Sequence, residues 1–165
     1  AAKQSLLAID IGGGIDSPAG FISVDREGAQ MTADLQGRWP FRDGSVGVIR
    51  AHDIIEHLRD PINTMTEAWR VLAPGGFFMI EVPSTDGRGA FQDPTHVSFW
   101  NQNSFWYWMR DQQARYIRNS TIRFVPYRME TRFPSAWHKQ HEISYVTAWL
   151  VKPLAGPMPR PLGAI

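Results

Sequence analysis

Four short, nearly continuous apolar runs constrain this chain more than any other feature: LLAIDI at 6–11, FISVD at 21–25, VGVIRA at 46–51 and FFMIEV at 77–82. A strand with one wet face alternates apolar and polar residues. Unbroken runs are buried on both faces and belong to a parallel sheet covered by other elements. The first run stops at Gly12-Gly13-Gly14, a break that gives the backbone unusual freedom. With 165 residues, 43% of them hydrophobic, the chain can bury one substantial core.

Between the third and fourth runs lies the clearest helix signal. Asp60 is placed as N-cap, Pro61 as the first helical residue and Pro74-Gly75-Gly76 as the stop. Ile62, Met65, Trp69 and Leu72 fall on one face of it, as a right-handed crossover helix on a sheet requires. After Pro83 comes STDGRGAFQDPTH, long enough for a functional lid, and then the aromatic segment FWNQNSFWYWM, where Asn101 or Asn103 can cap a further helix. The runs at 122–133 and 143–151 predict an antiparallel strand pair joined by a polar connection. From Lys152 onward four prolines and few apolar residues predict a tail that is ordered only where it docks.

Composition removes several function classes. The 17 basic and 16 acidic residues are interspersed, so charge supports neither a nucleic acid nor a membrane partner. No cysteine is present, which excludes disulfides, thiolate metal sites and a cysteine nucleophile. No apolar run reaches the roughly 20 residues of a membrane span, and no signal-peptide layout opens the chain, so a soluble cytoplasmic protein is expected.

Candidate site residues cluster at the strand ends. Glycines after a first parallel strand let a ligand approach the backbone, and Asp25, ending the second run, is placed to accept two ribose hydroxyls; a plain tight turn and a solvated strand end are the alternatives. Asp34 precedes the third run in a loop and can serve an adenine amino group or a turn. Candidate proton acceptors are His57 and the His96–Asp93 pair, each with a purely structural alternative. His52, Asp53 and His57, or His138 and His141, supply too few ligands for a closed shell, and no metal is expected. The aromatic cluster of Phe99, Trp100, Phe105, Trp106, Tyr107 and Trp108 reads as core or as an acceptor pocket wall. The arginines that follow it would suit single-stranded nucleic acid only with a basic balance the chain lacks.

Taken in order, IDIGGG, FISVD, ADLQGRWPFRDGSVGVIRAHDIIEHL and EAWRVLAPGGFFMIEVP resemble the successive motifs of class I S-adenosylmethionine-dependent methyltransferases, of the methyltransferase type 11-like kind with a short first loop, over roughly residues 6–84. The resemblance implies an α/β, Rossmann-like fold, mostly parallel, with a C-terminal antiparallel strand pair and a short third strand near 31–36. It implies S-adenosylmethionine as cofactor, with Asp10, Gly12, Gly13 and Gly14 along its methionine part, Asp25 at the ribose, Asp34 and Leu35 at the adenine and His52 beside the sulfonium. One domain would span 1–152, with a Pro-rich tail at 153–165. The segment from Gly12 to Gly20, interrupted by Pro18-Ala19-Gly20, is too short for the usual first crossover helix, which is therefore reduced or absent. The function implied is methyl transfer to a small-molecule or sugar- or lipid-linked acceptor. Such transfer needs alignment of the nucleophile behind an already activated methyl group, and a general base only when the acceptor must lose a proton. A non-catalytic binding or assembly module on the same fold is the alternative. A nicotinamide enzyme fits less well, because GGGIDS lacks the helix-packing third glycine.

Overall fold

The computed structural model describes residues 5–154. Seven strands form one sheet: β1 (Leu7–Ile11), β2 (Ile22–Asp25), β3 (Met31–Thr32), β4 (Val46–His52), β5 (Leu72–Pro83), β6 (Val125–Arg132) and β7 (Tyr145–Val151), in the order β3-β2-β1-β4-β5-β7-β6. The first five run parallel, and β7 enters antiparallel between β5 and β6. The four apolar runs are thus β1, β2, β4 and the second half of β5, and the two late runs make the expected antiparallel pair. The short third strand falls at Met31–Thr32.

One face of the sheet carries the core. Ile9, Ile49 and Phe78 are register partners in adjacent strands, as are Ile11, Ala51 and Ile80, and all six are fully buried. Helix α1 (Pro61–Val71) covers them with Met65, Ala68 and Val71. Its N-cap is Asp60, whose side chain accepts from the Ile62 and Asn63 N–H groups at 2.9 Å, and Pro61 occupies the first turn, where no N–H is needed. The opposite face, with Val48, Phe77, Met79 and Trp149, is half-exposed, so the burial of the apolar runs on both faces that their continuity predicts is corrected to full burial on one face and partial burial on the other.

Two helix expectations are corrected. Ile62 is 48% exposed rather than on the buried face. The helix ends at Val71, before Pro74-Gly75-Gly76, and Leu72 is extended and fully buried as the first residue of β5. Proline disfavours helical geometry in the residue ahead of it, so the helix stops early and residues 73–76 loop out between two paired stretches of β5. Gly75 and Gly76 then exchange backbone hydrogen bonds with Lys152.

No helix lies between β1 and β2, as the short loop predicts. Asn101 caps a 3-10 segment over Gln102–Trp108 through a reciprocal box with Ser104, while Asn103 lies inside it. Trp100, Phe105 and Trp108 are buried core, whereas Phe99 is 50% exposed. The stretch after Pro83 is no open lid: it holds the short helix α2 (Gly89–Gln92), and Gly87 and Gly89 lie so close to Ser144 and Ile143 that a side chain at either would collide. Two further short helices, α3 (Asp111–Ala114) and α4 (Ala136–Gln140), complete the described chain; α4 occupies the connection expected to be only a polar turn, capped by Ser135. Most of the expected Pro-rich tail, residues 155–165, lies outside the described residues. Lys152 is anchored, its Nζ donating to the Trp69 and Leu72 carbonyls at 2.8 and 2.7 Å.

Because Met65 is fully buried and Ile62 is not, Met65→Ala should lower unfolding free energy by about 2–5 kcal/mol and Ile62→Ala by about 1 kcal/mol or less in denaturant titrations. Equal losses would show that α1 packs through a different face.

Candidate active site

The exit of β1 is shaped by close packing. Gly12 has a φ of +72°, and a Cβ there would sit 2.5 Å from the Ile54 side chain. A side chain at Gly13 would strike the Asp10 carboxylate. Gly12 is therefore required by both conformation and space, and Gly13 by space. Asp10 is fully buried and accepts two hydrogen bonds from one Arg50 nitrogen, at 2.8 and 3.0 Å; the other terminal nitrogen of Arg50 lies 2.8 Å from His52 Nδ1. Asp10 and His52 thus share one network through Arg50, beside the glycine turn.

Asp25, Asp34 and Leu35 do come together, around a cavity of about 140 Å³ that Arg26, Gln36, Ile54, His57 and Leu58 complete. The Asp25 carboxylate accepts from the Arg26 N–H at 2.6 Å through one oxygen, and the second has no donor among the described residues. Asp34 accepts from the Gln36 N–H at 3.0 Å and from Arg26 at 3.3 Å, and these contacts hold its carboxyl below the usual range. The loop that carries Asp34 and Leu35 has no helix of its own. Trp39, 1% exposed, pins it by donating Nε1–H to the Leu35 carbonyl, and the Gln36 side chain bridges the His57 carbonyl and the Arg59 N–H.

A second cavity, about 190 Å³, opens beside the first and shares His57 with it; Asp53, Glu56, Gln92, Asp93, His96 and Tyr145 also line it. Here the three expected proton-handling residues meet. His57 and His96 stand edge to face with ring centroids 5.0 Å apart, and Asp93 lies 3.8 Å from His96 Nε2. Hydrogen bonds from the Thr95 hydroxyl and N–H hold the Asp93 carboxyl below its ordinary value. Each imidazole has its Nδ1 against a backbone carbonyl: His57 on Thr95 at 3.2 Å, His96 on Ala90 at 2.9 Å.

Three residues of this cavity were not singled out for it by the sequence reading. Glu56 sits in the 3-10 turn Ile55–His57, 2% exposed, with no hydrogen-bond partner for either carboxylate oxygen. Burial pushes its carboxyl up to about 8. Burial also raises Asp53, which has a φ of +51°, and Tyr145, whose hydroxyl approaches Asp53. An acid inside the apolar phrase IIEHL was the available signal for Glu56; Tyr145 arrives from β7 and carried none. His138 and His141 lie apart from this site, on and just beyond α4.

The strand order, with β7 antiparallel between β5 and β6, and two cavities at the carboxyl ends of the parallel strands define the Rossmann-like class I methyltransferase fold. Residues 13–80 match the family model described as a methyltransferase domain, which bears out the resemblance read from the motifs. A probable S-adenosylmethionine-dependent methyltransferase of Mycolicibacterium smegmatis is 38% identical over 62 residues, covering 35% of this chain and 24% of that protein. The chain therefore spans about a quarter of the length of that curated relative. Among solved structures, phosphoethanolamine N-methyltransferase 2 of Haemonchus contortus bound to S-adenosyl-L-methionine superposes with a TM-score of 0.58 at 15% identity, over 93% of this chain and 50% of that one. The [4+2]-cyclase SpnF superposes at 0.63 with 13% identity, over 93% and 77%. No described helix is long and apolar enough to cross a membrane.

The raised Glu56 carboxyl gives stability a sign. The folded state holds that proton more tightly than the unfolded chain, so its contribution is fully present below about 4.5 and is lost as pH rises toward about 8. In chelator-containing buffer, unfolding free energy should fall across this window by on the order of 1 kcal/mol per pH unit, and Glu56→Gln should flatten that slope. An unchanged slope in the variant would place the titration elsewhere.

Proposed function

We propose that this chain binds S-adenosylmethionine and transfers its methyl group to a small-molecule or sugar- or lipid-linked acceptor. The observation that carries the reading is the adjacency of two different cavities along one wall, the turn from Asp53 to Leu58. One is bounded by a strand-end carboxylate and an apolar loop, the other by two imidazoles and three carboxyl groups. A nucleoside fits the first by chemistry: Asp25 would accept the ribose hydroxyls, and Leu35, Ile54 and Leu58 would flank the adenine, with Asp34 at its amino group. Gly12, Gly13 and Gly14, with Asp10 and His52 behind and beside them, would bound the methionine end.

The cofactor when bound supplies an activated methyl group, so the protein's task is to align the acceptor and exclude water. An acceptor in the second cavity would lie beside His57 and His96, whose Nε2 lone pairs are free to take a proton because their Nδ1 atoms face carbonyls. Asp93, close to His96, would stabilise the imidazolium that results. The family match and the cofactor-bound neighbours support this reading.

One observation favours a second reading, a non-catalytic module on the same fold. The loop from β1 to β2 has no helix, so no helix N-terminus offers N–H groups to a cofactor carboxylate. Calorimetric titration with S-adenosylhomocysteine separates the two. Methyl transfer predicts one site per chain and at least about tenfold weaker binding in Asp25→Ala, the loss expected for a charge-assisted hydrogen bond. A folded wild-type chain that binds neither S-adenosylhomocysteine nor S-adenosylmethionine would overturn the proposal in favour of the module.

A further inference from the structure

We propose that Glu56, His57 and His96 form a binding site for one first-row divalent transition-metal ion of the Zn²⁺ type. A donor atom from each of the three side chains lies within 4.8 Å of the other two. The site depends on none of the cofactor contacts, and in the ion-bound chain it replaces the proton-accepting role of His57 and His96, because one Nε2 lone pair cannot hold a proton and an ion at once.

What points to a cation is the one-sided chemistry of the cluster. Both Glu56 oxygens are buried and receive no hydrogen bond, although the main chain around them is satisfied: the Glu56 carbonyl accepts from the Val97 and Ser98 N–H groups at 2.8 and 3.0 Å. A buried carboxyl group without a hydrogen-bond partner is costly, and this one stands beside two imidazoles. His57 Nδ1 faces the carbonyl and the hydroxyl of Thr95, each at 3.2 Å, and that hydroxyl already donates its hydrogen to Asp93, while His96 Nδ1 faces the Ala90 carbonyl; with only acceptors before it, each Nδ1 carries the proton and Nε2 is the lone pair. Fixing Nδ1–H on a carbonyl orients the ring and aims Nε2, which is how proteins hold histidine ligands on a metal. The cluster therefore gathers two imidazole lone pairs and a carboxylate around a point where no protein donor reaches the carboxylate.

The donor types decide the ion. Two imidazoles and one carboxylate suit Zn²⁺, Co²⁺ or Fe²⁺ and disfavour Mg²⁺ and Ca²⁺, which prefer all-oxygen shells. Bonds of about 2.0–2.2 Å require the three side chains to draw inward from their present spacing. Three protein ligands leave a coordination position free, and the cavity beside them, with Asp53, Gln92 and Tyr145 on its walls, is where a water or an acceptor oxygen would take it.

The test is titration of the chelator-stripped chain with Co²⁺ alone, read by the visible d–d absorption of the bound ion, with Zn²⁺ competition by calorimetry. One ion per chain should bind at micromolar or tighter affinity and raise the melting temperature. Glu56→Gln and His57→Gln should each weaken it at least about a hundredfold, a ligand mattering no less than an outer-shell partner. His57 is half-exposed, so its variant keeps the test open should changes at His96 prevent folding. His138→Ala combined with His141→Ala should leave binding unchanged. No Co²⁺ absorption in a folded wild-type chain, or equal affinity in Glu56→Gln, would overturn the site. Titration of the same stripped chain, and of Glu56→Gln, with S-adenosylhomocysteine keeps the outcomes distinct, since the cavity bounded by Asp25, Asp34 and Leu35 includes His57 but neither Glu56 nor His96.

Discussion

Burial of one face of the sheet under α1 is the constraint on which everything else rests. Ile9, Ile49 and Phe78, and one step along Ile11, Ala51 and Ile80, form transverse rows that are stripped of water by Met65, Ala68 and Val71. At roughly 25 cal/mol per Å² of apolar area, such rows supply the largest favourable contribution to folding. They also fix the register of β1, β4 and β5, because a shift by one residue would turn these side chains to the other face. The carboxyl ends of those strands, and hence both cavities, are placed by that register.

A second, polar constraint compensates for missing helices. The segment between β3 and β4 is irregular, yet it forms a wall of the cavity beside Asp25. Arg70, on α1, holds it by donating to the Trp39 and Phe41 carbonyls and pairing with Asp43, while Glu67 accepts from the Trp39 N–H at 2.7 Å and from Arg70. Glu67 is 6% exposed, so removing Arg70 alone would strand a buried carboxylate. One amphipathic helix therefore serves both the core, through Met65 and Val71, and the site, through Glu67 and Arg70.

The turn from Asp53 to Leu58 links the two cavities. Ile54 packs on Gly12, Ile55 and Leu58 enter the core, and Glu56 and His57 face the pockets, so neighbouring residues in one short 3-10 turn divide structural and chemical work. Apolar packing on both sides is what keeps Glu56 out of water and gives it its unusual protonation.

The sequence by itself determined the sheet and three of the residues that line the cavity at the end of β2, Asp25, Asp34 and Leu35. Continuous apolar runs mark the strands, although the burial on both faces that they predict is only partial, with Val48, Phe77 and Met79 half-exposed; Asp60-Pro61 opens the helix, and Gly12 takes a positive φ that other residues resist. Asp25, Asp34 and Leu35 were legible because they sit at or just beyond strand ends, where local position already predicts placement. The sequence misplaced Ile62 and Leu72, since a helical period says which residues share a face but not how far the helix runs before a downstream proline and a sheet edge compete for it. Only the tertiary structure decided the second cavity. His57, His96 and Tyr145 come from a turn, a loop and a strand distant in sequence, and their distances depend on β7 being inserted between β5 and β6. Whether Glu56 has a partner is likewise a property of the space around it, because burial without a donor is a relation among distant groups that no local pattern encodes.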